Sequence, residues 1–274
     1  MSFSIAQGSN YFQFRPKGFG VLRPVNLIES LPGLGFWLDA SARSTLSYDG
    51  SDRVDTWRDL SPNGYDVTQI VNASKPTYVS STSRLNNKPT VEFNDDYLST
   101  SSVLDGAQGE VFAVVSLSSL STTNQNLLAQ SDFSGSAGPI TLIRPYQDFS
   151  SQQGMGFTQR DTDTVTGTTE LVGNTTISVD TPYLMYWRSD GSTVTFRLNG
   201  ASESLDVTQN NNGNWFGDMS GTADLLTVGK LGLNSTYIQQ FLGNLGELVV
   251  ITGTNLTTQQ RDDTEDFLLG KWGF

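Results

Sequence analysis

Residues 35–66 read GFWLDASARSTLSYDGSDRVDTWRDLSPNGYD, and this stretch decides how the rest of the chain is read. Phe36-Trp37-Leu38 is a short apolar run that predicts a strand ending at the carboxylate of Asp39. A polar excursion through Tyr48-Asp49-Gly50 follows, then an apolar return at Val54, Trp57 and Leu60 that stops at Ser61-Pro62-Asn63-Gly64. Asn-Gly supplies the left-handed backbone that tight turns between strands need. Two tryptophans, each followed by an acid and separated by turn chemistry, point to the opening of a β-sandwich.

Composition agrees with an all-β chain. Charged residues make up only 16% of the 274, and 27 glycines are enough to serve many turns between short strands. One large sandwich commonly uses a chain of this size, so a single large unit with an extension is expected. The net charge of −12 disfavours a phosphate backbone as partner, because binding one takes clustered Lys and Arg, and nucleic acid is set aside. The absence of Cys and His removes disulfides, thiol nucleophiles, Ser-His-Asp arrangements and most zinc sites. No run of about 18 apolar residues predicts a membrane span.

The first 28 residues carry Arg15, Lys17 and Arg23 with no acid, while the remainder sums to −15. Phe3, Tyr11, Phe12, Phe14 and Phe19 are interspersed with Gly, Pro and Ser, a pattern too aromatic for a solvated linker and too broken for a helix. Residues 1–32 are therefore expected to be an extended arm that docks on a partner or on the chain's own sandwich, with the boundary at Leu31-Pro32-Gly33.

Downstream, Lys75–Val79 and Lys88–Phe93 predict strands begun through prolines, and Glu110–Leu120 predicts a central strand buried on both faces. Short strands are expected at Gln125–Gln130, Ile140–Arg144, Gly154–Gln159, Thr164–Thr169 and Thr175–Val179. Tyr183–Ser189 and Thr193–Leu198 form a hairpin around Asp190-Gly191, Asn199-Gly200 repeats the turn chemistry, and late strands follow at Leu225 and at Leu245–Ile251. A single helix starts at Thr257, with Gln260 completing a capping box and Gly270 as its stop, and Trp272 pins its far end.

The order Phe36-Trp37-Leu38-Asp39-Ala40, then Val54 to Gly64, then Lys88-Pro89-Thr90-Val91-Glu92-Phe93, resembles the concanavalin A-like, laminin-G-like jelly rolls. Gly243 to Ile251 and the closing helix to Trp272 carry the C-terminal part of that resemblance, which covers roughly residues 33–274. It implies a two-sheet antiparallel β-sandwich with an extended N-terminal arm and one short C-terminal helix. Such domains serve as lectins, glycanase domains, adhesion modules and virion proteins, so the resemblance specifies fold better than function. With an aromatic, basic arm and no secretory signal, the chain is most similar to the bacteriophage group. This implies a non-enzymatic decoration or appendage subunit on the exterior of a virion, anchored on the major capsid protein and forming homo-oligomers. The alternative is a lectin-like adhesin at a bacterial surface or outside the cell, binding cell-surface glycans, and a glycan-degrading enzyme comes third.

Chemistry on this fold would need two carboxylates facing one cleft. The related glucanases place theirs as Glu-x-Asp-x-x-Glu. Here Glu247 has no acidic partner two residues on, and Glu92-Phe93-Asn94 has an amide in that place. Calcium is a candidate cofactor, with Asp49, Asp52 and Asp55, or Asp161, Asp163 and Glu170, as carboxylate clusters that turn-capping would equally explain. For a glycan, the loop Asn210–Asp218 combines an aromatic with amides and an acid, and Trp215, Asn214 and Asp218 are its candidate contacts.

Overall fold

The computed structural model describes residues 27–135, 138–149, 152–161, 168–219 and 223–274. In chain order the strands begin with β1 (Leu34–Asp39), β2 (Leu46–Tyr48), β3 (Val54–Trp57), β4 (Val67–Thr68), β5 (Thr77–Thr82), β6 (Lys88–Asn94) and β7 (Leu98–Thr100). They continue with β8 (Gly109–Leu117), β9 (Asn124–Gln125), β10 (Leu128–Ser131), β11 (Ile140–Phe149), β12 (Gln152–Arg160), β13 (Thr169–Gly173) and β14 (Pro182–Ser189). The last are β15 (Val194–Leu198), β16 (Ala201–Ser202), β17 (Leu205–Gln209), β18 (Leu225–Val228), β19 (Leu231–Leu233), β20 (Thr236–Ile238) and β21 (Leu242–Thr252), followed by helix α1 (Thr258–Trp272).

Sheet A runs β16-β15-β14-β8-β21-β6-β5, with β1 also on β21, and sheet B runs β17-β13-β12-β11-β10-β18-β7-β4-β3-β2, with β9 on β11. Every ladder between these strands is antiparallel, so the architecture is the expected sandwich. Alternation along β8 shows how it closes. Val111, Ala113, Val115 and Leu117 enter the inter-sheet core with Trp57, Phe157, Trp187 and Trp215, whereas Phe112 and Val114 face a second cluster with Leu268 and Trp272 of α1. Glu110–Leu120 was expected to be covered on both faces, and β8 is.

Helix α1 begins as expected, with Thr257 Oγ1 accepting from Gln260 N and the Gln260 side chain accepting from Thr257 N. It ends later than expected. Gly270 stays helical, Trp272 in the last turn bonds Glu247 of β21, and the left-handed Gly273 (φ 79°), donating to Leu269 O, closes the helix. Thr175–Val179 is not a strand; it turns inward so that Ile177 joins the core. The rest of Thr164–Thr169 up to 167, and the arm residues up to 26, lie outside the described residues.

The stretch that opened the reading is held by its acids. Asp59 is buried, and its carboxylate accepts from Trp37 N, Ser61 N and Tyr65 N, each at 2.8 Å, and from Ser61 Oγ at 2.7 Å. Asp39 Oδ1 accepts from Ser41, and Asp39 Oδ2 meets Lys271 Nζ at 2.8 Å. Lys271 is also 2.7 Å from Glu247 Oε2, and Glu247 accepts the indole N–H groups of Trp37 (2.9 Å) and Trp272 (2.8 Å). Burial, then the nearby Asp39, push the Glu247 carboxyl up, with Lys271 opposing. For Lys271 burial alone would lower the pKa, but Glu247 and Asp39 outweigh it and hold the ammonium up. This buried knot clamps α1 to β1 and β21.

Candidate functional site

Two short strands form a flap. After β18 the chain turns at Gly229 (φ 100°), where a Cβ would sit 2.5 Å from the Phe93 ring, and β19 pairs with β20 through a turn at Asn234-Ser235. Leu231 of the flap packs with Ala129, Ile140 and Leu142, the side of sheet B that faces away from the main core, with Leu233 against them. This placement brings Tyr237 onto two residues from distant loops. Its ring stacks on Tyr97 at a centroid distance of 3.8 Å and tilts against Phe133 at 5.2 Å. All three aromatic residues are half-buried. Lys230 lies 5.7 Å from the Tyr97 ring centre and is paired with Asp95 at 2.8 Å. Burial, followed by a hydrogen bond with Tyr97, pushes the Tyr237 phenol up to about 12, so it stays a neutral donor and acceptor.

The flap ends at Gln239, a non-glycine residue held at φ 53°. Such a conformation persists where surroundings over-determine it. Here Asn126 donates from its backbone to Gln239 O (3.1 Å) and from Nδ2 to Gln239 Oε1 (2.9 Å), and Arg144 Nη2 reaches Oε1 at 3.3 Å. Arg144 is 4% exposed; it donates to Asn126 Oδ1 (3.0 Å) and Thr158 Oγ1 (2.7 Å), and Glu170 lies at 3.7 Å. Gln147 donates to the same Glu170 oxygen at 2.8 Å. Burial pushes the Arg144 guanidinium down to about 10, with Glu170 opposing, and it remains charged at neutral pH.

Beside this network lies a pocket of about 360 Å³ lined by Ser121, Thr122, Thr123, Asn124, Gln239 and Gln240. Its walls are hydroxyls and carboxamides, groups that both donate and accept, without a formal charge. Thr122 Oγ1 is buried there with no hydrogen-bond partner. The loop bearing these hydroxyls is fixed by Gln125, which donates to Ser119 O at 2.7 Å and accepts from Leu242 N at 2.8 Å.

The sequence-predicted contacts lie elsewhere. Trp215 is fully buried, stacked on Phe157 at 5.2 Å and edge-on to Phe216 at 5.3 Å, so it presents no ring face to a ligand. Asn214 Nδ2 is taken by both carboxylate oxygens of Asp161 at 2.8 Å, and Asp218 caps Trp215 N at 2.8 Å. The loop folds inward because adjacent Trp215 and Phe216 bury more apolar surface than any exposed role would leave them. The calcium candidates also have other work. Asp49 caps Ser51 N and Arg53 N and pairs with Arg53, Asp55 pairs with Lys75, and Asp52 sits in a left-handed turn at φ 59°. Among the described residues no group of three or more acids is placed to hold a metal; Asp163 lies outside them. So do the arm residues Phe3, Tyr11, Phe12, Phe14, Arg15, Lys17, Phe19 and Arg23. No described helix is long and apolar enough to cross a membrane.

No protein-family model matches the chain, and no curated protein matches it in sequence. Among solved structures it is similar to the CBM40 domain of the Ruminococcus gnavus IT-sialidase bound to alpha2,3 sialyllactose, at 15% identity and a TM-score of 0.48, covering 59% of this chain and 83% of that one. Domain 4 of a GH43 extracellular arabinanase from Geobacillus stearothermophilus, in complex with arabinotriose, is 14% identical over 69% of this chain and 80% of that one, with a TM-score of 0.48. A Trypanosoma rangeli sialidase in complex with the inhibitor DANA is 11% identical over 86% of this chain and 33% of that one, with a TM-score of 0.49. At these values the likeness is one of sandwich arrangement.

Proposed function

We propose that the chain is a non-catalytic carbohydrate-binding β-sandwich that takes a glycan at the flap of sheet B. One observation carries the reading: a pocket lined by hydroxyl- and carboxamide-bearing residues, two of which, Gln239 and Gln240, closely follow Tyr237 of the half-buried aromatic trio in the chain. Sugars present hydroxyls that need partners able to donate and accept, and apolar C–H faces that pack on aromatic rings, and the site supplies both kinds of contact. Gln239 and Gln240 follow Tyr237 by two and three residues, just past the end of β20, so one short segment of chain carries ring and amides. A non-catalytic role fits the buried acids of the fold. Glu247 is tied to Lys271 and two indoles, Glu265 to Arg197, and Glu110 to Leu256 N. A place outside a cell or on an exposed surface suits a ligand of this class.

The virion role expected first rests on the arm, which lies outside the described residues, and nothing in the fold supports it over the glycan reading. A glycan array followed by calorimetry on the best hit tests the proposal, with Tyr237→Ala as the variant. Loss of one aromatic anchor is expected to weaken binding at least about tenfold. No signal for any glycan at millimolar ligand, or a Tyr237→Ala protein that binds as wild type does, would overturn it. A depolymerisation assay on the bound glycan should show no cleavage.

A further inference from the structure

A groove of about 550 Å³ opens where β5 and β6 meet the start of β3, lined by Arg53, Lys75, Thr77, Arg84, Glu92, Asn94, Asp96 and Ser118. All eight side chains are polar, and three are cations in a chain whose net charge is −12. Two of the cations are braced by acids that do not line the groove. Arg53 Nη2 lies 2.8 Å from Asp49 Oδ2, and Lys75, whose side chain is 8% exposed, is paired with Asp55. Arg84 is held by Glu92 at 3.1 Å and by Asp180. Forked guanidinium groups fixed in this way meet an incoming oxyanion with little ordering left to do.

A second observation comes from sheet register. Thr77, Glu92, Asn244 and Ser116 are cross-strand partners in one row over β5, β6, β21 and β8, on the face away from the main core. Inward of Glu92 this row holds Asn244 Oδ1 and Ser116 Oγ, both buried and both without a hydrogen-bond partner. Further along the same strands that face is apolar, with Phe112, Val114, Val249 and Ile251. Buried polar atoms left unpaired cost stability, so this end of the sheet is kept polar at some cost directly beside the groove's lining residues Thr77 and Glu92.

We propose that this groove is a second binding site, taking an acidic saccharide whose oxyanion, a carboxylate or a sulfate, is held by Arg53, Lys75 and Arg84. Thr77, Asn94, Ser118 and Glu92 then address its hydroxyls. The groove borders the flap, since its Asp96 precedes Tyr97, but the proposal does not depend on the glycan reading made there. Of the two groove acids, Asp96 is pushed up to about 6 by burial, so acidification removes the charge that would repel the ligand.

The test is an amide NMR titration of the whole chain with glucuronate, glucose 6-sulfate, glucose and inorganic phosphate. Glucuronate or glucose 6-sulfate is expected to shift Thr77, Glu92, Asn94 and Ser118, glucose to leave them still, and added salt to weaken the effect. Arg84→Gln should raise Kd at least about tenfold, because it removes a charge-assisted contact. Arg53→Gln, at a more exposed position, gives a second variant should Arg84→Gln lose its dispersed spectrum. The proposal is overturned if neither acid shifts the groove, if glucose shifts it as strongly, if phosphate binds as tightly as glucuronate, or if the folded arginine variants bind like wild type.

Discussion

Replacing Lys271 with Met removes the ammonium that sits 2.8 Å from Asp39 and 2.7 Å from Glu247 while keeping most of the aliphatic stem. The two carboxylates then respond differently. Asp39 keeps its hydrogen bonds from Ser41 and is partly reached by water, so its loss is small. Glu247 has a side chain 1% exposed and keeps only the two indole donors. Breaking a buried pair from one side typically costs about 3–5 kcal/mol, and the surviving indole bonds place this case near about 3 kcal/mol at pH 8. For a domain of this size that corresponds to a fall of about 6–12 °C in Tm.

The pH dependence has a definite sign. Without Lys271 the folded-state pKa of Glu247, already raised by burial, rises further above its unfolded value. The folded protein then takes up a proton as pH falls through that pKa, and the variant recovers stability on going from pH 8 to pH 5. Wild type behaves otherwise at the alkaline end. Its raised Lys271 pKa means the ammonium's contribution is complete below the ordinary value of 10.5 and is lost as pH climbs through the folded value. Urea unfolding of both proteins at pH 5 and pH 8 reads the effect. A deficit under about 1 kcal/mol at pH 8, or one equal at both pH values, would refute the reasoning. The double variant Glu247→Leu with Lys271→Met should lose less than Lys271→Met alone, since the more deeply buried of the two carboxylates is then no longer stranded.

Asp59→Ala removes a carboxylate that accepts four hydrogen bonds and is expected to cost more than about 2 kcal/mol by urea denaturation. Asp96→Asn concerns a group raised to about 6, so wild type gains stability as pH falls from 7 through 6; the variant should show a flatter profile between pH 7 and pH 5 in the same assay. Gly229→Ala would put a Cβ 2.5 Å from the Phe93 ring at a φ of 100°, and a Tm loss of several degrees is expected by calorimetry, with Tyr237 fluorescence reporting whether the flap has moved.

The framework was legible because its signals are local. Phe36-Trp37-Leu38, the alternation in Val194-Thr195-Phe196-Arg197-Leu198, and the Thr257/Gln260 box each state their geometry within a few residues, and each is found as read. The candidate site was not readable. Tyr97, Phe133 and Tyr237 come from three separate segments and meet only when the flap folds over sheet B. Arg144 sits in a strand whose other members are mostly apolar, and its partners Asn126, Thr158, Glu170 and Gln239 are brought together by register. Trp215 misled because composition alone does not say which way a loop tryptophan turns. Its neighbour Phe216, also buried, was the one local sign that it turns inward.

One feature of sheet A bears on biosynthesis. Strand β21, residues 242–252, lies between β8 on one side and β6 and β1 on the other, yet the ribosome delivers it after every other described strand of sheet A. Until it emerges, β5–β6 and β8–β14–β15–β16 are separate pieces with open hydrogen-bonding edges, and β1 has no strand to join. The nascent chain therefore carries unpaired apolar edges through most of its synthesis, which is when sheet proteins are prone to aggregate. Sheet A closes in one late step, when a single strand joins both halves and α1 follows to cover them.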